Sequence, residues 1–252
     1  MRNIKLIVEY DGTRYQGWQR LGDSDKTIQE KLEKIVSQLT GETIELIGSG
    51  RTDAGTHARG QVANFKTNCN KSLEEMHHFF LTYLPKDIVV TSIDEVPERF
   101  HARYNAVSKQ YSYYVRHAEL PSAFNRNYHF YVAEPLDWEA MTEACLRLMG
   151  THDFLGFSAL KKSKKSTVRT IESIEMEKEE AMIRFVFRGD GFLYKMVRIM
   201  MGTILAVGKG EMTVNQIDDI FQAKTRQAAG ETVPAQGLFL DGVFYEKNWT
   251  FK

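Results

Sequence analysis

Two short capping sequences constrain the fold of the first hundred residues more than any other feature of the chain. Residues 27–30 (Thr-Ile-Gln-Glu) and 72–75 (Ser-Leu-Glu-Glu) each place a hydroxyl side chain three positions before a glutamate, which is typical of a helix N-terminus. Apolar residues follow both sequences at helical spacing, and Gly41 and Pro85 end the two patterns. The sequence therefore predicts two helices, one after each capping sequence.

Short apolar segments on either side of these helices predict strands. They cover residues 5–10, 44–47, 61–65 and 88–93. The resulting order is strand, helix, strand, strand, helix, strand, which is the split βαβ or ferredoxin-like arrangement.

The second half of the chain alternates in a similar way, with insertions. Strands are predicted over residues 109–116, 168–176, 181–188 and 238–245, and helices after Asp137, over 192–207 and from Thr213. We therefore expect an α+β protein of two ferredoxin-like (RRM-like) domains with mainly antiparallel sheets. The predicted N-terminal domain covers residues 1–106 and the C-terminal domain 107–252.

Composition favours a globular, non-membrane protein. Hydrophobic residues make up 42% of the 252 residues, and the longest apolar stretch, residues 199–207, is interrupted by Gly202 and falls short of the roughly 20 residues that span a bilayer. No secretory signal is recognisable at the N-terminus. Cys69 and Cys145 are isolated from each other and from histidine, which predicts two buried thiols and no zinc site. We expect a cytoplasmic protein.

The charge balance is neutral but unevenly distributed. Lys and Arg number 33, as do Asp and Glu, which by itself argues against a nucleic-acid partner. Residues 161–169 nevertheless carry five cations and no acid, whereas 172–180 carry five glutamates. The cations are Lys161, Lys162, Lys164, Lys165 and Arg169. This pattern indicates either a basic RNA-binding face or simply a solvated charged loop.

Residues 48–57, Gly-Ser-Gly-Arg-Thr-Asp-Ala-Gly-Thr-His, form the most informative segment. Its glycines permit close approach to a ligand, and in an extended stretch Arg51 and Asp53 would share a face. Long ordered loops tend to be functional. From the residues alone, however, a turn stabilised by a structural ion pair between Arg51 and Asp53 is slightly favoured over a site, because ion pairs are common in loops. The spacing fits neither a phosphate loop nor a dinucleotide fingerprint, so no nucleotide cofactor is expected.

Several motifs in order along the chain resemble those of the TruA family of tRNA pseudouridine synthases. The residues that carry this resemblance are 10–13, 17–19, 27–29, 51–57, 100–103, 109–113, 150–154, 191–198 and 234–238. The resemblance implies a pseudouridine synthase fold with the active site in the interdomain cleft. It implies an isomerase that converts uridine to pseudouridine in tRNA, at positions 38, 39 and/or 40 of the anticodon stem-loop. It also implies a cytoplasmic homodimer that needs no metal or other cofactor.

The same resemblance assigns roles to individual residues. Asp53 corresponds to the catalytic nucleophile and Arg198 to its ion-pair partner. Tyr111 corresponds to the tyrosine that stacks on the base or relays a proton. Arg51 is expected to fill the space left by the flipped nucleotide, and Leu238 to line the uracil pocket. Without the family, Tyr111 fits core packing and Arg198 fits a cation on the polar side of a helix.

Further residues are expected to contact the substrate. They are Thr52, Gln61 and Gln236, together with Lys161, Lys162, Lys164 and Lys165. Thr56 and Arg59 depart from the commonest family form, which leaves substrate choice open.

Three questions remain open at the level of sequence. Asp53 could attack C6 of the base, attack C1′ of the sugar, or assist elimination to a glycal. The chain could act on another RNA, or bind RNA without catalysis. A small-molecule hydrolase with an aspartate nucleophile is a further alternative.

Overall fold

The computed structural model describes residues 1–22, 24–160 and 166–246, which belong to two compact units. One unit comprises residues 1–109 and the chain from Phe239 onward, and the other comprises residues 110–238. The predicted ranges 1–106 and 107–252 differ from these units mainly in the last strand. That strand groups with the first unit because Phe239 and Leu240 pair in parallel with His57 and Ala58.

The first unit has the ferredoxin-like order of elements. They are β1 (Arg2–Tyr10), α1 (Ile28–Thr40), β2 (Ile47–Gly48), β3 (His57–Thr67), α2 (Leu73–Tyr83) and β4 (Ile88–Val96). The antiparallel order β4-β1-β3 forms the body of the sheet, and β2 also pairs antiparallel with β3. The predicted order of elements for this unit is confirmed.

Both predicted helix starts in this unit are confirmed. The Thr27 hydroxyl accepts a hydrogen bond from the Glu30 amide at the start of α1, and Ser72 and Glu75 form a complete, reciprocal capping box at α2. Gly41 ends α1 in the left-handed conformation, with φ of 72°.

The predicted strand over residues 44–47 is wrong for most of its length, because only Ile47 and Gly48 are in a strand. The backbone amides of this segment bond to side chains of α1 instead. Ile44 N donates to Ser37 Oγ at 3.1 Å, and Leu46 N donates to Glu33 Oε1 at 2.9 Å. These bonds satisfy the backbone without a neighbouring strand.

The second unit contains the remaining elements. They are β5 (Ala106–His117, which begins in the first unit), β6 (Phe130–Val132), α3 (Trp138–Leu148), β7 (Gly150–Asp153), β8 (Val168–Glu179), β9 (Met182–Gly189), α4 (Met196–Gly208) and α5 (Gln216–Ala223). The last strand, β10 (Leu238–Tyr245), starts at the end of this unit and otherwise belongs to the first unit. The strand order is β5-β9-β8-β7, with β7–β8 and β8–β9 antiparallel and the short β6 parallel to β5. The α+β class and the mainly antiparallel sheets are confirmed. The likeness of the second unit to a ferredoxin stays a prediction.

Helix α4 begins four residues later than the predicted range of 192–207. Lys195, at its N-terminus, has φ of 60°, so the chain enters the helix from a left-handed residue rather than from a preceding helical turn. From Met196 onward nearly every residue is buried.

Two other expectations concern burial. Cys145 is buried in α3, as predicted, and burial raises the pKa of its thiol to about 12. Cys69, also predicted to be buried, is only half-buried; it lies in the connection between β3 and α2. Within the described ranges, none of the helices combines the length and apolar character needed to cross a membrane.

Candidate active site

The loop of residues 49–56 connects β2 to β3 and carries Asp53. Backbone bonds fix it at two points on the segment that follows β1: Trp18 N donates to Thr52 O at 3.1 Å, and Gly55 N donates to Tyr15 O at 3.2 Å. Within the loop, Thr56 N donates to Asp53 O at 3.1 Å and closes a tight turn. The backbone on both sides of Asp53 is therefore held in place.

Two glycines of the same segment let it approach the loop. Gly17 has φ of 96°, and a Cβ added there would lie 2.5 Å from the Thr52 carbonyl oxygen. A Cβ on Gly12 would collide with the carbonyl of Thr56, while Gly12 N donates to His57 Nδ1 at 3.1 Å. Side chains are excluded from both positions because backbone meets backbone there.

Buried polar side chains support the loop from inside the unit. The Tyr10 and Thr52 hydroxyls lie 2.8 Å apart, and burial raises the pKa of Tyr10, which keeps its hydroxyl neutral. Gln61 is fully buried; it accepts from Ser49 Oγ at 2.7 Å and donates to Gly50 O at 3.1 Å. Thr52 and Gln61, expected to contact substrate, thus bond to the protein's own interior.

Arg51 and Asp53 differ in their surroundings. Arg51 is exposed, and among the residues that the structure describes it forms no hydrogen bond or ion pair. Asp53 is half-buried. The structural ion pair between them, the simple alternative for this segment, is therefore wrong, and the Arg51 guanidinium faces solvent, where a ligand could reach it.

The two positions that depart from the commonest family form are the last residue of this loop, Thr56, and Arg59 in β3. Arg59 pairs with Asp241 at 2.8 Å, and its guanidinium lies 4.3 Å from the ring centroid of Phe239. The same phenylalanine stacks on His57 with centroids 4.5 Å apart. Thr56 is buried, and its hydroxyl has no partner in the described part of the chain. Arg59 thus stabilises the pairing of β3 with β10.

In the second unit, Tyr111 lies in β5 and is 8% exposed. Its ring meets that of Phe192 edge to face, with centroids 5.1 Å apart. This contact packs the tyrosine ring against a side chain of its own unit.

Arg198 and Leu238 belong to the same unit, in α4 and at the start of β10. Arg198 Nε donates to Val233 O at 2.8 Å, and Val233 N donates back to Arg198 O at 3.4 Å. Tyr113 Oη donates to Pro234 O at 2.8 Å. These bonds hold the segment that leads to Leu238, whose side chain is buried.

Gln236 lies in that segment and is exposed, but its amide nitrogen is engaged. It donates to Arg126 O at 3.0 Å and to His129 O at 2.9 Å. The side chain therefore stabilises local backbone in this structure.

The last two expectations concern the lysine-rich segment and metal binding. Lys161, Lys162, Lys164 and Lys165 lie outside the described residues. No group of His, Cys, Asp and Glu suited to a metal ion occurs among the residues that were described.

Comparison with known proteins identifies the family. A family model described as tRNA pseudouridine synthase matches residues 6–105 and 144–246. A protein named tRNA pseudouridine synthase A from Acetivibrio thermocellus is 44% identical over 245 residues, covering 97% of this chain and all of that protein. Relatives from Bacillus sp. strain KSM-64 (tRNA pseudouridine synthase A) and Clostridium perfringens (tRNA pseudouridine synthase A 2) are each 45% identical with the same coverage.

The protein with this fold and aspartate-bearing loop is therefore an RNA-modifying enzyme. The chain belongs to the tRNA pseudouridine synthase family, and the predicted TruA resemblance is confirmed. The predicted reaction class, isomerisation of uridine to pseudouridine in tRNA, is confirmed by this membership. A solved structure titled "Crystal Structure of a Cbf5-Nop10-Gar1 Complex" is 11% identical with a TM-score of 0.36, covering 81% of this chain and 45% of that one, a likeness too weak to support any conclusion.

Three supporting residues were not singled out from the sequence. Tyr10 and Ser49 occur in the sequence only as members of motifs. Lys109, whose Nζ donates to Ser49 O at 2.8 Å, occurs only as part of the motif that contains Tyr111. Their importance depends on contacts between segments far apart in the chain, for which spacing gives no signal.

Proposed function

We propose that the chain converts uridine to pseudouridine at positions 38, 39 and/or 40 of the tRNA anticodon stem-loop. The observation that carries this proposal is the loop around Asp53, fixed by backbone bonds on both sides within a chain that belongs to the tRNA pseudouridine synthase family. An anticodon loop and its adjoining stem end are where a nucleotide flips out most cheaply.

Asp53 is the proposed nucleophile. The reaction breaks the C1′–N1 bond of uridine, turns the uracil and joins C5 to C1′, so atoms are conserved and no oxidant or reductant is needed. A carboxylate can form a transient bond to the substrate or stabilise a cationic sugar. The half-buried position of Asp53, on a backbone held at Thr52, Gly55 and Thr56, supports this role.

Further residues have proposed roles in the same reaction. Arg198 is the proposed ion-pair partner of the Asp53 carboxylate and would orient it toward the substrate. Tyr111 stacks on the uracil or relays the C5 proton, and Leu238 lines the base pocket. Exposed Arg51 occupies the space vacated by the flipped nucleotide. These residues come from both units, and their joint action is part of the proposal.

Substrate contacts beyond the base are also proposed. Thr52, Gln61 and Gln236 would act mainly by shaping the loop and the pocket wall, which their bonds to backbone and buried side chains support. Lys161, Lys162, Lys164 and Lys165 would contact tRNA phosphates. We further propose that the enzyme is a homodimer and that it acts in the cytoplasm on tRNA.

The test uses purified protein and unmodified tRNA transcripts with uridine at position 38, 39 or 40. A matched transcript carries cytidine at all three positions. Pseudouridine is mapped by carbodiimide labelling and reverse transcription. We expect stops at those three positions in the first set and none in the matched transcript. Pseudouridine found only outside the anticodon arm would indicate that the enzyme acts on another site or another RNA. Binding of the transcripts without any pseudouridine would indicate an RNA-binding protein.

A further inference from the structure

Ser49 begins the loop that carries Asp53, and all its polar groups are bonded. Its amide donates to Val62 O at 2.8 Å, and its hydroxyl donates to Gln61 Oε1 at 2.7 Å. Its carbonyl accepts from Lys109 Nζ at 2.8 Å. Ser49 itself is fully buried. Ser49, the first residue of the loop, is therefore held by three hydrogen bonds, and only the one from Lys109 involves a charged group.

The ammonium group of Lys109 lies close against the loop. A Cβ added to Gly50 would lie 2.5 Å from Lys109 Nζ, so the glycine leaves the space that this group fills. Within the described residues no carboxylate pairs with Lys109, and the nearby charge is that of Arg103, a cation. Burial and Arg103 both lower the pKa of the Lys109 side chain, to about 8.

Burying the Lys109 ammonium partly, beside the cation of Arg103, costs free energy of folding. A favourable contact of the same group must offset this cost. Its bond to a carbonyl is charge-assisted and so stronger than one from a neutral donor. That bond is made four residues before Asp53, on a loop without regular secondary structure.

We infer that Lys109 is a positioning residue, whose bond to the Ser49 carbonyl holds the aspartate-bearing loop in the geometry that catalysis requires. This inference rests on the proposed role of Asp53. Lys109 does not touch the reacting atoms in this account; it acts through the loop. Because displacing a reacting group by about an ångström can cost about a hundredfold in rate, loss of this bond should lower the rate of the chemical step.

The first test compares Lys109→Met with Lys66→Met. Methionine retains an unbranched side chain that is only one atom shorter, but it removes the donor. Lys66 is a surface lysine of the same unit that pairs with Glu98 at 3.6 Å. We expect Lys109→Met to lower the single-turnover rate of pseudouridine formation about 10- to 100-fold, with tRNA affinity within about threefold. Lys66→Met should change neither quantity. Amide hydrogen exchange at residues 49–53 should accelerate in Lys109→Met alone.

The second test is a double-mutant cycle with Gly50→Ala. The added methyl group displaces the flexible end of Lys109, so Gly50→Ala should lower the rate in the wild-type background. In a Lys109→Ala background the same change should have little further effect, since the contact is already lost.

The outcomes separate the inference from the proposed function. Unchanged rate and exchange in Lys109→Met, a loss confined to tRNA affinity, or additive effects in the cycle would each overturn the inference. If the wild-type protein forms no pseudouridine, the proposed function fails, and the exchange measurement still decides whether Lys109 holds the loop.

Discussion

Gly17 lies so close to the Thr52 carbonyl that a side chain has no room between them: a Cβ on Gly17 would be 2.5 Å from the Thr52 oxygen. The amide of the next residue, Trp18, donates to that same oxygen at 3.1 Å. The turn after β1 and the loop before Asp53 are therefore packed backbone against backbone.

This contact predicts the effect of Gly17→Ala. Gly41 is the matched control, because it also has positive φ, 72°, but no atom lies within 4 Å of its added Cβ. Gly41→Ala should lower the free energy of unfolding by about 1 kcal/mol, the cost of the backbone conformation alone. Gly17→Ala should cost about 2 to 4 kcal/mol and also lower the single-turnover rate, since the loop must move. Urea unfolding and a rate assay measure both; equal effects of the two variants would contradict the packing described.

The hydroxyl pair of Tyr10 and Thr52 predicts a second difference. Tyr10→Phe removes one partner and leaves the buried Thr52 hydroxyl unsatisfied, which should destabilise the protein by about 1 to 2 kcal/mol. It should also reduce the rate several-fold, because Thr52 precedes Asp53. Tyr245→Phe is the control, since it loses a bond of similar length, 2.7 Å to the Ala102 carbonyl oxygen, away from the loop. Comparable instability with unchanged rate is expected there, and a rate loss as large as that of Tyr10→Phe would argue against a specific role for the Tyr10 contact.

Lys109 predicts a dependence of stability on pH. Its pKa falls from 10.5 to about 8 on folding, so between these values the unfolded chain binds more protons than the folded one. The destabilising contribution of Lys109 is therefore complete below about pH 8 and diminishes as the pH rises toward 10.5. Between pH 7.5 and 10.5 the free energy of unfolding of the wild-type protein should therefore rise by about 1 to 3 kcal/mol relative to that of Lys109→Met. A difference between the two proteins that does not vary with pH would contradict this.

The sequence was sufficient to predict those features of the fold that depend on contacts between residues close together in the chain. Thr27 and Ser72 cap their helices as predicted, because a cap bonds to an amide only three residues away. The start of α4 could not be predicted, because the large side chains of residues 192–194 suit a helix, and only the left-handed backbone of Lys195 ends the helix before them. The short β7 was missed because its four residues, Gly150–Asp153, pair with the distant β8.

In the candidate site, too, the sequence predicted the residues of a local motif but not the contacts between distant segments. The resemblance predicted Asp53, because motif spacing reports the chemical group that a family requires. The supports of the loop, such as the Lys109 bond to Ser49, were not visible, because they join residues 60 positions apart. The grouping of β10 with the first unit depends on its pairing with His57 and Ala58, a contact across most of the chain.

The central claim is that the Asp53 carboxylate performs the chemistry, and the substitution Asp53→Asn tests it most directly. The amide has the same shape but no charge, so we expect no pseudouridine in the anticodon arm under single-turnover conditions, with tRNA affinity within about tenfold of wild type. Asp53→Glu, which retains the charge but moves it by about an ångström, should be slower by about a hundredfold. Pseudouridine formed by Asp53→Asn at a rate near that of the wild-type protein would contradict the account.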